Sequence, residues 1–238
     1  MLKRGLGIYL RTNHEILSKP KPHSDQQKSK ILTYIQDKIK DVVDPIPTII
    51  AVSKTFGQND IKPLLNFGHQ HYGENKVQEC KLKWQDLKLQ YENIKLHMIG
   101  KLQTNKVRDC VKYFDFIHSV DSKKLAKKIS DEQIKINKNI KIFIQVNIGE
   151  EKQKSGVVKD KLEELIIYCK KINLDLIGLM CIPPVSVDPS KFFEEVNLLN
   201  KTFGFSDLSM GMSSDYITAS KNSSTFLRIG SSIFGSRI

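Results

Sequence analysis

From Thr48 onward the chain alternates short apolar runs with longer amphipathic ones, and it does so eight times. The short runs predict strands over 48–53, 69–73, 95–99, 115–119, 140–147, 174–180, 206–210 and 225–229. Helical repeats fill the gaps over 58–67, 75–88, 104–113, 122–136, 157–172 and 189–202, with a short one after Ser213. Helix starts are marked by Asp121-Ser122 ahead of Lys123 and by Asp188 followed by Pro189. Each link between strands is long enough for a right-handed crossover, so successive strands should lie parallel. Eight strand-helix units are the count of a (β/α)8 barrel. The competing open doubly wound sheet asks for a Gly-rich turn after its first strand. Here that turn carries Lys54 and no G-x-G-x-x-G pattern, so the barrel is expected.

A chain of 238 residues, 39% hydrophobic, is enough for one such domain with a filled core. No apolar run approaches the length of a membrane span, so no membrane association is expected. Cys80, Cys110, Cys169 and Cys181 lie far apart without C-x-x-C spacing. They read as reduced thiols, which fits a cytoplasmic setting. A formal charge of +12 raises a nucleic-acid partner. The lysines are spread along the length in short pairs such as Lys123-Lys124, without interleaved aromatics, so no specific nucleic-acid binding is expected.

Residues 1–29 stand apart from the barrel, which is expected over 30–238. They carry Lys3, Arg4, Arg11, Lys19, Lys21 and Lys28 against Glu15 and Asp25, with Pro20 and Pro22 as breakers. A basic, disordered N-terminal extension is one reading; a transit peptide or an upstream start site are others. Ile31, Ile35, Ile39 and Val42 then form one helical stripe.

Chemistry in such a barrel gathers in the loops at the C-terminal strand ends, with phosphate favoured after strands seven and eight. Lys54 ends the first strand. An amine at an apolar strand end loses hydration, which lowers its pKa and suits it to carbonyl chemistry, although many strand-end lysines are simply solvated. After strand seven comes Ser209-Met210-Gly211-Met212-Ser213-Ser214-Asp215, and after strand eight Arg228-Ile229-Gly230-Ser231-Ser232. Both offer small or hydroxyl residues at a helix start, where free N–H groups attract a phosphate. Asn75, Asn105 and Asn147 sit at other strand ends, as ligand-holding amides or as helix caps. His69 and His71 lie two apart and would share a strand face, as zinc pairs do. No carboxylate or further His at other strand ends completes that set, so no metal is expected. His97 and His118 each stand alone in an apolar run and read as core residues.

The motifs resemble one family throughout. They are Ala51-Val52-Ser53-Lys54-Thr55, Gly73-Glu74-Asn75, His97-x-Ile99-Gly100-x-Leu102-Gln103-x-Asn105-Lys106 and His118-Ser119-Val120-Asp121-Ser122. They continue with Gln145-Val146-Asn147-Ile148-Gly149-Glu150-Glu151, Gly178-Leu179-Met180, Met210-Gly211-Met212-Ser213-Ser214-Asp215 and Arg228-Ile229-Gly230. From about Lys30 the chain is similar to the pyridoxal phosphate (PLP) homeostasis proteins, whose TIM barrel resembles the N-terminal domain of alanine racemase. That resemblance implies PLP held as a Schiff base on Lys54. It also implies phosphate held by Ser213, Gly230 and Ser231, Met212 lining the site, Arg228 at the pyridine nitrogen and Asn75 near the ring. Where the family has Gly before strand eight, this chain has Asn222-Ser223-Ser224-Thr225; Ser231 stands where Thr is common.

A cation beside the pyridine nitrogen disfavours ring protonation and weakens the ring as an electron sink. Racemisation also needs a second acid–base group across the α-carbon. Alanine racemase carries that group's Tyr on a β-rich second domain, and the sequence to Ile238 leads to no expectation of one here. The resemblance therefore implies a monomeric PLP carrier without robust catalysis, acting in intracellular PLP homeostasis. PLP-dependent apoenzymes and amino acids are its further conceivable partners, and a weak PLP-dependent amino-acid racemase is the alternative.

Overall fold

The computed structural model describes residues 23–151, 153–185 and 187–235. Among them, eight parallel strands close into a barrel in sequence order. They are β1 (Thr48–Val52), β2 (His71–Glu74), β3 (Lys95–Met98), β4 (Phe116–Val120), β5 (Lys141–Val146), β6 (Asp175–Cys181), β7 (Asp207–Ser209) and β8 (Phe226–Ile229). β8 closes the ring on β1, with Ile50 opposite Arg228. The helices are α1 (Asp25–Lys40), α2 (Gln58–Asn66), α3 (Val77–Gln90), α4 (Val107–Tyr113), α5 (Lys123–Lys135), α6 (Leu162–Lys171), α7 (Ser190–Thr202), α8 (Tyr216–Lys221) and α9 (Ser231–Phe234). The predicted barrel is present, with each strand within about two residues of its expected bounds.

Strand alternation sorts the side chains into two cores. Ile50, Phe116, Phe143, Met180 and Phe226 fill the inside of the barrel. Their sequence neighbours, such as Ile49, Ala51, Ile117, Ile142 and Leu227, turn outward against the helices. The same alternation directs Ile50, Val52 and Lys54 to one side, and Tyr72 and Glu74 to the other. Helix starts follow their caps: Ser122 Oγ accepts the Leu125 N–H at the head of α5, and Asp188 Oδ1 accepts the Ser190 N–H at the head of α7.

The expected boundary between extension and barrel, at residues 29 and 30, falls inside α1, which begins at Asp25. The lead-in is tied down: His23 N–H donates to the Phe234 carbonyl at 3.1 Å, and His23 Nδ1 lies 3.0 Å from the Ile233 carbonyl. Lys28 is buried between Asp25 and Asp60. The expectations for residues 1–22 lie outside the described residues. Of the expected stripe, Ile35 and Ile39 are buried and Ile31 is half-buried against the core, whereas Val42 is exposed beyond the helix end; Leu32, outside the expected stripe, is buried beside them. All four cysteines are free and buried. No described helix is long and apolar enough to cross a membrane.

Candidate functional site

The C-terminal mouth of the barrel opens on a cavity of ≈ 550 Å3 lined by Val52, Lys54, Phe56, Asn75, Ile99, Ile182, Met212, Ser213, Ser214, Arg228, Gly230, Ser231 and Gly235. That size is ordinary for a small-molecule site. All seven candidate residues, Lys54, Asn75, Met212, Ser213, Arg228, Gly230 and Ser231, therefore meet in one place, although they come from the ends of four strands.

Lys54 is held by a clamp on the opposite face of the sheet. Lys83 from α3 donates to the Ser53 carbonyl at 2.7 Å, to Glu74 Oε1 at 2.8 Å and to Glu79 Oε1 at 3.0 Å. Ser53 Oγ and Trp84 Nε1 also donate to Glu74 Oε1, at 2.7 and 2.9 Å. Glu79 Oε1 in turn accepts the Thr55 N–H. Burial raises the Glu74 carboxyl, while Lys83, Trp84 and Ser53 pull it down. Residues 53 and 55, on either side of Lys54, are thus pinned from behind. Thr55 is pinned in the left-handed region, at φ 70°, which is a strained conformation for a β-branched residue.

The two loops expected to favour phosphate are joined. Ser213 Oγ accepts the Ser232 N–H at 3.2 Å. The turn after β7 closes through the Met212 N–H on Asp215 Oδ1 at 2.6 Å. Gly211 has φ 90° there, and a Cβ would lie 2.5 Å from that of Ala219. On the opposite wall a Cβ at Gly100 would lie 2.4 Å from the Asn75 carbonyl, so glycine lets the loop after β3 pack behind Asn75. Asn147 has a different job from a ligand amide: its Nδ2 donates to the Glu151 carbonyl and its Oδ1 accepts the Glu151 N–H, closing its own turn.

Arg228 forms the floor. The residue is 5% exposed, with Nη1 donating to Ser209 Oγ at 2.7 Å and Nη2 to the Cys181 carbonyl at 2.8 Å. Burial lowers its pKa, opposed by Cys181 and Asp215. His97 and His118 are core residues, as expected, and their rings are linked to one another. His118 Nδ1 lies 2.8 Å from Ser209 Oγ, His118 Nε2 lies 2.9 Å from His97 Nδ1, and His97 Nε2 lies 3.0 Å from His71 Nδ1. His69 and His71 do not converge as a metal pair. The His69 ring meets the His71 carbonyl at 2.9 Å and the edge of Tyr72, while the His71 ring pairs with His97. Among the described residues no cluster of three or more His, Cys, Asp or Glu could hold a metal ion.

Sequence reasoning missed the clamp and the linked histidines. Glu79 and Lys83 sit at i,i+4 on α3, a pattern that reads as a surface pair until α3 is laid on β1 and β2. Chemically the cavity offers an amine for a carbonyl carbon, hydroxyls and a backbone turn for an anion, and a guanidinium for a ring edge. That donor set fits a phosphorylated aromatic aldehyde.

A family model, the alanine racemase N-terminal domain, matches residues 34–238. The pyridoxal phosphate homeostasis protein of Aquifex aeolicus (strain VF5) is 36% identical over 199 residues, 79% of this chain and 86% of that protein. Its counterpart in Escherichia coli (strain K12) is 34% identical over 200 residues, 80% of this chain and 86% of that one. Among solved structures, PipY of Synechococcus elongatus PCC7942 with PLP bound superposes with a TM-score of 0.80 at 28% identity, over 88% of this chain and all of that one. Alanine racemase of Clostridium difficile 630 has a TM-score of 0.69 at 14% identity, over 89% of this chain and 57% of its own, a likeness of fold.

Proposed function

The chain belongs to the alanine racemase N-terminal domain family and, within it, to the pyridoxal phosphate homeostasis proteins; on that premise we propose that it binds pyridoxal 5'-phosphate and serves intracellular PLP homeostasis as a carrier without robust catalysis. The observation that carries this reading is the joint lining of one cavity by Lys54, Arg228, Ser213 and Ser231. When bound, PLP supplies an electrophilic aldehyde and a pyridine ring able to accept electrons. We assign Lys54 as the amine that takes the aldehyde carbon as a Schiff base. Ser213, Gly230 and Ser231 hold the phosphate, and Met212 and Asn75 bound the ring. Arg228 presents a cation at the ring nitrogen, which keeps a proton off it.

The ionisable side chains among the described cavity-lining residues are Lys54 and Arg228, and an arginine stays protonated at neutral pH. One amine on one side supports holding over racemising, which needs positioned groups on both faces of a carbon. Four cysteines that are all free rather than paired support a reducing compartment, the cytoplasm, as the site of action. The test is a visible spectrum of the purified protein with added PLP, followed by borohydride reduction and peptide mapping. The expected result is a single pyridoxyl group on Lys54. A label elsewhere, or none, overturns the assignment, and α-deuterium exchange into L-amino acids at catalytic turnover overturns the carrier.

A further inference from the structure

The barrel interior holds a polar chain that the proposed carrier function does not itself require. Arg228, Ser209, His118, His97 and His71 follow one another at 2.7, 2.8, 2.9 and 3.0 Å. They come from β8, β7, β4, β3 and β2 and run from the cavity floor to the first residue of β2, at the opposite end of the barrel. The surroundings are dry. The His97 ring stacks on Phe116 at 4.2 Å and the His118 ring on Phe143 at 4.4 Å, with Phe226 against both. His97, His118 and Ser209 are 0% exposed. A buried polar chain in such a place is tolerated when every member is satisfied.

Satisfaction fixes its direction. A guanidinium only donates, so Arg228 fills one acceptor position of Ser209 Oγ. The serine's own hydrogen then has His118 Nδ1, 2.8 Å away, as its acceptor. With Nδ1 accepting, neutral His118 carries its hydrogen on Nε2 and donates to His97 Nδ1. His97 in turn carries Nε2–H and donates to His71 Nδ1. Both inner rings are neutral because burial lowers their pKa well below the usual value, aided by His118, His71 and His69 around His97 and by Arg228 near His118. Burial lowers His71 as well, with Lys95 adding to the effect and Asp115 opposing it. The opposite polarity would aim two donors at Ser209 and leave its hydrogen without this acceptor.

We propose that Ser209, His118, His97 and His71 are positioning residues for Arg228: a single hydrogen-bond chain, polarised from the guanidinium outward with every histidine in the Nε2–H form, that holds the guanidinium plane fixed beneath the cavity. The inference rests on the carrier reading only for what Arg228 faces. Its test therefore uses full-length protein without PLP, so that failure of either is seen separately.

Nitrogen-15 NMR of the histidines at neutral pH should show His71, His97 and His118 each with Nε2 protonated and Nδ1 bare. Arg228 should give two resolved Nη resonances, because its rotation is blocked. In Ser209→Ala both effects should be lost: His118 and His97 should populate both tautomers, and the Arg228 Nη resonances should merge. Ser209→Thr, which keeps the hydroxyl, should restore them. A merely structural serine would leave the tautomers and the guanidinium rotation unchanged in a folded Ser209→Ala protein. That outcome, or an Nδ1–H form of any of the three rings in the wild type, overturns the proposal. If near-UV circular dichroism shows that Ser209→Ala has not folded, His118→Phe takes its place. It fills the same volume, and there His97 should lose its fixed tautomer; an unchanged His97 overturns the proposal equally.

Discussion

Lys83 reaches through the outer layer to the main-chain carbonyl of Ser53, 2.7 Å away, and so fixes from behind the strand end whose next residue, Lys54, lines the cavity. Two lysines thus serve one site with opposite roles. One is a buried structural cation among Glu74, Glu79 and a carbonyl, and the other is the cavity amine.

Breaking that buried set should be costly, because one partner's removal leaves the others desolvated and unpaired. Lys83→Met is expected to destabilise the fold by about 3–5 kcal/mol, read as a lower urea midpoint with an unchanged slope. In the double variant with Glu74→Gln the loss should be well short of the sum of the two single losses. Additive losses would mean that the two groups do not share one network.

Thr55 sits at positive φ, where glycine is at ease and a β-branched residue is not. Thr55→Gly should raise stability, by about 1 kcal/mol at most once the backbone entropy of glycine is set against the relieved strain. Thr55→Val keeps the strain and should not raise it. Thermal unfolding of the pair is the measurement.

Ser213 and Ser231 are assigned to the phosphate, and hydrogen bonds to a charged group contribute about 1.5–3 kcal/mol each. Ser213→Ala and Ser231→Ala should each weaken PLP binding by roughly ten-fold or more on that basis. Pyridoxal, which lacks the phosphate, should bind wild type and variants alike. Equal losses for both ligands would assign these serines to the ring or to folding.

His97, His118 and His69 have pKa values lowered on folding, His69 to about 4, by burial first. Below the ordinary value of 6.5 the unfolded chain therefore binds more protons than the folded one, and stability falls as pH falls. It should be level above pH 6.5 and decline from there toward 4, with each fully buried histidine adding about 1.4 kcal/mol per pH unit to the slope. Urea midpoints across that range test it. His118→Phe should flatten the curve, and an unaltered slope would remove His118 from the account.

The barrel was legible because its signal is local. Eight apolar runs and their helical partners each carry their own periodicity, and Ser122 and Asp188 mark helix starts in three or four residues. Lys54, Asn75, Arg228 and the 209–215 and 228–232 loops were legible for a related reason: parallel strands deliver their C-terminal ends to one face, so position along a strand is already position in the site. The pair His69 and His71 was misjudged on the same logic. Spacing by two predicted that His69 and His71 share a face, but β2 begins only at His71, and His69 lies in the irregular link before it.

The sequence by itself determined the alternation of strands and helices, hence a closed parallel barrel, and which residues end its strands. Only the tertiary structure decided which side chains meet across strands far apart in the chain. His118 and Ser209 are ninety-one residues apart and Lys83 and Ser53 thirty. Such contacts depend on the stagger of the strands around the barrel and on which face of a helix lies on the sheet. The stagger puts a serine of β7 against a histidine of β4 inside, and the packing of α3 puts a lysine behind β1. No spacing along the chain encodes either distance.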